Sequence, residues 1–499
     1  MTYFEQLQEK YPNDIMKAYK EYILSKTIYR SFYVSEDAPE FVKEAMQIQI
    51  KLNEYAKSII NSENKKFAEL LGKNKEQIIS YIENKEEIFN FLEIDRGNLI
   101  QYISGMYEMK LQKSIPENMT WNQLKDIMNE ENNNISILKE EEVISRLEKI
   151  AKTFGINSIT YGKVRTTKDS LDKLENSFTQ LQQVVDCAPK QVGLKKFNVF
   201  LDVAEFNYAG SAYEITGQIK LYINERLSHD AFAHEWLHGI DMLMAYKKSK
   251  TYNMYSQSNT GKISKLLKGL KSNQEDIKKI KKTALEETKK FVQKIVDRFT
   301  LLSSINNPKE LKQKLFMEIE KVKEGIFNKN KAIEMINSHM KEVNACPAYL
   351  ITELSMLDFF LKGKDKKFIN SYFYEYAKEM QKSLQKTGLM EDEYSTLKEE
   401  MFARAFESYT QIKLEEKNLK NDIAHANISG WTPKAIETIR QKALWEDVLK
   451  EMKEIMEIYL PQKDNTMNSL EKTEYIKYNI SKIRKNSNSS KENVAVKIK

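Results

Sequence analysis

The segment His234-Glu235-Trp236-Leu237-His238 constrains this chain more than any other feature. It lies in the run DAFAHEWLHGIDMLMAYKK (230–248), where Phe232, Trp236, Leu237, Ile240 and Leu243 recur at helical spacing. On a helix, positions i and i+4 lie on one face, about one turn apart. Both imidazoles can then converge on one small cation. Zn²⁺ accepts ring nitrogens at about 2.0–2.1 Å and prefers four ligands. Glu235 directly follows the first histidine. From there its carboxylate can take a proton from water polarised by the metal, as a general base. The chain has only 5 histidines, so two of them four apart on an apolar helix need a reason.

A catalytic zinc takes three protein ligands and leaves one position open. A third histidine ten residues after the first is ruled out, because position 244 is Met. The third ligand is therefore expected to be a carboxylate on a separate helix. The run KEEMFARAFE (398–407) supplies candidates. Glu400, Arg404 and Glu407 stand at i, i+4 and i+7 and share a face, and Ala403 is small enough for close helix approach. Glu400 is favoured as ligand, with Glu407 the alternative. The competing fate for these charges is a solvated salt-bridge surface. Asp241 shares the face of the two histidines and could orient an imidazole through its second N–H, or else be solvent-exposed. The donor for a developing oxyanion is left open among Tyr394, Arg404 and Tyr409.

The rest of the chain reads as mostly helical. Only 15 glycines and 8 prolines punctuate 499 residues, too few for an all-β protein with many tight turns. Thr120 and Gln123 form a capping pair flanked by Met119 and Leu124, and Ser228 is a plausible N-cap for the His-Glu helix. Leu171, Leu174, Phe178, Leu181 and Val185 mark one face of a helix. Alternation at 197–203 and 219–223 marks strands, with Gly210 and Gly217 between them. Residues 248–262 are polar and turn-prone, and 263–345 read as Lys/Glu-rich helix. The expected organisation is a helical region over 1–140, a sheet with the His-Glu helix over 145–247, and a helical insertion over 248–380. A second site helix with C-terminal helices follows over 381–462, and a polar, partly disordered tail over 463–499.

Lys and Arg number 79 against 72 for Asp and Glu, a formal +7. That excess permits nucleic-acid contact without indicating it. Cys187 and Cys346 are too few and too far apart for a disulfide framework and fit a reducing cytoplasm. No apolar run approaches the roughly twenty residues of a membrane span, and no signal peptide is visible. A cytoplasmic protein with no membrane association is expected.

Several stretches together resemble a known group: FGINSITYGK (154–163), LDKLENSFTQLQQVV (171–185), NVFLDVAEFNYAGSAYEITGQIKLYI (198–223), AHEWLHGID (233–241) and YSTLKEEMFARAFESY (394–409). They are similar to the large polyvalent protein-associated domain 1 family, a zincin-like metallopeptidase domain of phage and conjugative-element polyvalent proteins. The resemblance places Glu400 in an E-x-x-A context with Ala403. It implies a mobile-element gene whose product is delivered into a host cell with DNA or processes co-injected proteins. The chain departs from the pattern in Gly239-Ile240 and in the long segment 250–380.

These readings converge on an α+β, mostly helical protein. A zincin-like core is expected, with a small antiparallel sheet packed on the HExxH helix. Its activity would be that of a gluzincin-like zinc metallopeptidase using one Zn²⁺. His234, His238 and Glu400 would be ligands, Glu235 the base, and Asp241, Arg404, Glu407 and Tyr394 the surrounding groups. The strand 218–223 is the expected free edge to which a peptide or protein substrate adds. Two rivals differ in class: a zincin-fold binding module without turnover, and a helical accessory protein acting on host proteins or DNA.

Overall fold

The structure is a computed structural model. It describes residues 2–27, 29–61, 84–92, 119–130, 138–162, 167–201, 210–224, 231–249, 254–258, 261–272, 275–276, 306–321, 326–340, 368–369, 372–386, 396–424 and 439–459, with isolated residues between 289 and 358. The fold is α+β and mostly helical, with one small mixed sheet. The chain forms two compact units. The first comprises residues 1–175, 188–226 and 456–499, and the second 176–187 and 227–455.

The first unit holds the five-stranded sheet. In chain order its elements begin with α1 (Tyr3–Lys10), α2 (Ile15–Thr27), β1 (Arg30–Val34), α3 (Glu40–Asn61), α4 (Glu86–Phe91) and α5 (Trp121–Glu130). They continue with α6 (Glu140–Phe154), β2 (Ser158–Gly162), α7 (Lys168–Val185), α8 (Pro189–Gly193), β3 (Phe197–Leu201), β4 (Gly210–Ile215) and β5 (Gln218–Ile223). Helix α7 begins here and ends among residues of the second unit. The expected cap of α5 is present: Gln123 N–H donates to Thr120 Oγ1 at 3.3 Å and Thr120 N–H to Gln123 Oε1 at 2.8 Å. Met119 and Leu124 are both buried beside it. The expected apolar face of α7 is buried throughout.

Strand order is β1-β2-β3-β5-β4. The β2–β3 and β3–β5 pairs are parallel, and the outer pairs are antiparallel. This corrects the expectation of an antiparallel sheet. A strand, the helix α7 and a second strand form a crossover unit, and such a crossover joins parallel neighbours. β1 lies within the first 140 residues, where only helix was expected. Its register runs from Arg30 opposite Gly162 to Val34 opposite Ser158. Strand 218–223 is not a free edge. It is paired on both sides, to β3 and to β4, and is buried along its whole length. The edges are β1 and β4. The β4–β5 hairpin turns through Thr216 (φ 51°) and Gly217 (φ 79°), the two positive angles of a type I′ turn.

Two features lock the sheet's helical flank. Phe200 and Tyr222 project into a cluster with Val42, Met46 and Phe91, and the Phe91 and Phe200 rings meet edge to face at 5.2 Å. Gly155 caps α6 with φ 69°, and a Cβ there would lie 2.5 Å from the Lys190 carbonyl oxygen. Gly155→Ala is therefore expected to lose at least about 2 kcal/mol of stability, from left-handed strain plus the clash. Urea denaturation followed by circular dichroism measures it, and an unchanged midpoint would contradict the tight approach.

The second unit contains the end of α7, then α9 (Phe232–Ser249), a 3₁₀ turn (Tyr255–Gln257), α10 (Gly261–Ser272), β6 (Glu275–Asp276), α11 (Pro308–Glu320) and α12 (Lys329–His339). It continues with β7 (Phe368–Ile369), α13 (Tyr372–Lys386), α14 (Lys398–Glu416) and most of α15 (Ile439–Tyr459). The Lys/Glu-rich α11 and α12 bury an apolar stripe of Leu311, Leu315, Ile319, Ala332 and Ile336. Ser228, His229, Cys346, Tyr394, the Asn132–Asn134 run and the tail 463–499 lie outside the described residues. Among the described residues, no helix is long and apolar enough to cross a membrane.

Candidate metal centre

Two helices build the site: α9, carrying His234, Glu235, His238 and Asp241, and α14, carrying Glu400, Arg404 and Glu407. α9 is buried on its apolar and its polar faces alike, with Phe232, Trp236, Leu237, Ile240 and Leu243 packed in the core. The first-turn N–H of Ala233 has no partner inside the helix and donates to the Ile423 carbonyl at 2.9 Å. α14 packs alongside α9. Ala403 is fully buried, as its small size led one to expect, and Trp236 stacks on Phe406 at 5.8 Å. From α15, Trp445 stacks on Phe402 and Tyr409 at 5.7 and 5.1 Å. Tyr409 is part of this aromatic stack.

Between the helices three ligand groups meet. His234 Nε2 and His238 Nε2 are 3.0 Å apart. Glu400 offers Oε2 at 3.4 Å from His234 Nε2 and Oε1 at 3.2 Å from His238 Nε2. All three residues are buried, and together they form a group able to hold a metal ion. Tetrahedral bonds of about 2.0–2.1 Å set ligand atoms about 3.3 Å apart, so the observed spacings suit a small metal ion. Two ring nitrogens facing each other at 3.0 Å need a proton or a cation between them. Glu400 Oε2 is buried, with no hydrogen-bond donor aligned to it among the described residues. Buried acceptors are rarely left so without a function.

The electrostatics agree. Burial and the Arg404 charge push the His234 imidazole toward its neutral form, but Glu400 and Glu407 prevail and hold its pKa up to about 10. Burial alone would raise Glu400, yet the two imidazoles hold its carboxyl well below the usual range. The acidic pocket thus keeps a positive charge at the place a metal would take. Glu235 is nine-tenths buried. Burial raises its pKa, opposed by His234 and His238.

Of the surrounding groups expected from the sequence, Glu407 and Arg404 stand by His234, and Asp241 is bonded elsewhere. Glu407, the alternative ligand, faces the other ring nitrogen: His234 Nδ1 lies 3.4 Å from Glu407 Oε2. Arg404 donates to that same Oε2 at 3.0 Å. Glu407 therefore sits where a carboxylate orients a ligating imidazole, the role expected of Asp241. Asp241 is fully buried and accepts from Ser256 instead, from its backbone N–H at 2.8 Å and its hydroxyl at 2.5 Å. Burial raises the Asp241 pKa to about 6, against these two hydrogen bonds. Ser256 was missed in the sequence because nothing sets it apart in a polar, turn-prone stretch.

One comparison bears on this geometry. Residues 387–458 match the sequence model of the large polyvalent protein-associated domain 1 family. The matched segment includes Glu400, Arg404, Glu407 and Trp445, the face of α14 that meets the histidines and the ring that stacks on its far side. It does not reach α9, so the likeness of 154–241 to that family rests on the residues alone. No curated protein and no solved structure matches the chain.

Proposed function

We propose that this chain is a zinc-dependent metallopeptidase of zincin-like character, belonging to a phage or mobile element and acting on a peptide or protein substrate. The observation that carries the reading is the convergence of His234, His238 and Glu400 at ligand spacing beside Glu235. His234 and His238 would bind through Nε2 and Glu400 through a carboxylate oxygen. A Zn²⁺ held there would supply Lewis acidity toward water and the substrate carbonyl. Glu407 accepts from His234 Nδ1–H, which leaves the Nε2 lone pair free for ligation. Arg404 donates to the same Glu407 oxygen and holds the carboxylate in place. Glu235 takes a proton from the attacking water and passes it to the leaving amine.

Purified protein is expected to carry one Zn²⁺ per chain, and His238→Ala to carry none after dialysis. Elemental analysis of both decides it. Equal absence of divalent metal from the two would remove the catalytic reading.

The pH dependence follows from His234. Without metal its folded pKa stands at about 10, so the ring is charged at neutral pH. Ligation needs the neutral ring, so binding releases that proton. Zn²⁺ affinity is expected to rise by about tenfold per pH unit between pH 6 and 8. Calorimetry in buffers of different ionisation enthalpy counts the proton. No proton released at pH 7 would show that the charge is not held on the ring.

A further inference from the structure

The turn Tyr255–Gln257 lies in a stretch whose sequence reads as a loop, yet it is tied to three helices. Its Ser256 is fully buried and gives both its N–H and its hydroxyl to Asp241. Asp241 stands less than one turn beyond His238 on α9. At the other side, Gln257 Nε2 donates to Glu399 Oε1 at 3.0 Å, and Lys398 Nζ donates to the Gln257 carbonyl at 3.1 Å. Both residues immediately precede Glu400. Tyr255 donates its hydroxyl to Glu451 on α15 at 3.1 Å.

These ties end where the ligand helices most need fixing. α14 has no side-chain cap hydrogen bond from Leu397, and Glu400 lies in its first turn. Gln257 instead ties two side chains of that turn, Lys398 and Glu399, to a distant part of the chain. Residues 238 and 400 are far apart in sequence, and the turn lies close after the first of them. It therefore links a histidine ligand to a carboxylate that arrives much later.

We propose that Tyr255–Gln257 is a clamp that sets Glu400 against His234 and His238, with Asp241 as the buried positioning residue. The proposal rests on the metal-centre reading. Its role is to fix ligand geometry through hydrogen bonds to Asp241, Lys398 and Glu399, the chain neighbours of the ligands, one step beyond the direct partners whose loss typically weakens metal binding 10- to 100-fold. Asp241 touches neither metal nor substrate in this scheme.

The test uses the full chain with Ser256→Ala and Gln257→Ala. Gln257 is exposed, so its variant keeps the fold even where loss of the buried Ser256 hydroxyl disturbs it. Zn²⁺ affinity is read by competition with a chromophoric chelator, and ligand geometry by the visible spectrum of the Co²⁺ form. Each variant is expected to raise the Zn²⁺ dissociation constant by up to about 10-fold, the lower end for groups that support a ligand, and to change the Co²⁺ bands. Variants that melt earlier but keep wild-type affinity and an unchanged Co²⁺ spectrum would reduce the turn to a structural prop and overturn the clamp. Wild-type protein that takes up no Zn²⁺ would instead overturn the metal-centre reading, and the clamp with it.

Discussion

Replacing Glu235 by Gln is expected to lower peptide hydrolysis by about 10²- to 10⁴-fold while leaving Zn²⁺ binding stoichiometric. Gln has nearly the shape of Glu, so the packing of α9 should survive. What it lacks is a basic oxygen. The native carboxyl is buried, which raises its pKa, while the two neighbouring imidazoles pull it down. Burial prevails, so the net shift is upward, the direction that makes a carboxylate a stronger base. The assay is turnover of an unfolded protein substrate, with metal content measured on the same samples. Turnover equal to wild type at equal metal content would remove Glu235 from the reaction. If the wild type itself holds Zn²⁺ and cuts nothing, the gripping-module alternative takes over. An effect that survives Glu235→Gln and disappears on deleting residues 1–140 would favour the helical accessory.

How much of this was legible in the sequence follows from the range over which each signal acts. The two imidazoles and Glu235 lie within five residues of one helix, so helical periodicity alone puts His234 and His238 on one face. Glu400 was legible because it shares a face with Arg404 and Glu407 at i, i+4 and i+7, beside an Ala403 small enough for close helix approach. Roles within that face were harder to read. Glu407 and Asp241 are each a carboxylate on the correct side of its helix, and only packing between helices decides which one meets His234 Nδ1. Asp241 went instead to Ser256, whose position depends on a turn that the sequence marks only as polar. The sheet failed for another reason. Strand periodicity at 197–203 and 219–223 says which residues face the core but not which strand lies beside which. Parallel pairing was implicit in the strand, helix, strand order at 158–201, and β5 became an interior strand once β4 took the edge. Arg30–Val34 shows too little alternation to stand out among helices, and its strand state comes from pairing with β2.

Glu400→Ala is expected to weaken Zn²⁺ binding by more than about 100-fold, beyond the 10- to 100-fold range typical of groups that only orient a ligand. Glu407→Ala should fall inside that range, because Glu407 meets His234 at Nδ1, the nitrogen away from His238 and Glu400. The comparison separates a ligand from its support, which neither variant alone can do. Both side chains are buried, and each is an anion beside His234, so loss of either lowers the pull that keeps the ring charged. The imidazole can then shed its proton and remain buried as a neutral group, which protects the metal-free fold from an unpaired charge. Circular dichroism of the metal-free variants checks that step. Zn²⁺ competition titrations at a fixed pH near 8 then give the two affinities. Equal, modest losses in both variants would make Glu400 a supporting group and leave the centre without its third protein ligand. A larger loss from Glu407→Ala than from Glu400→Ala would exchange their roles and require His234 to turn its ring, presenting Nδ1 to the metal.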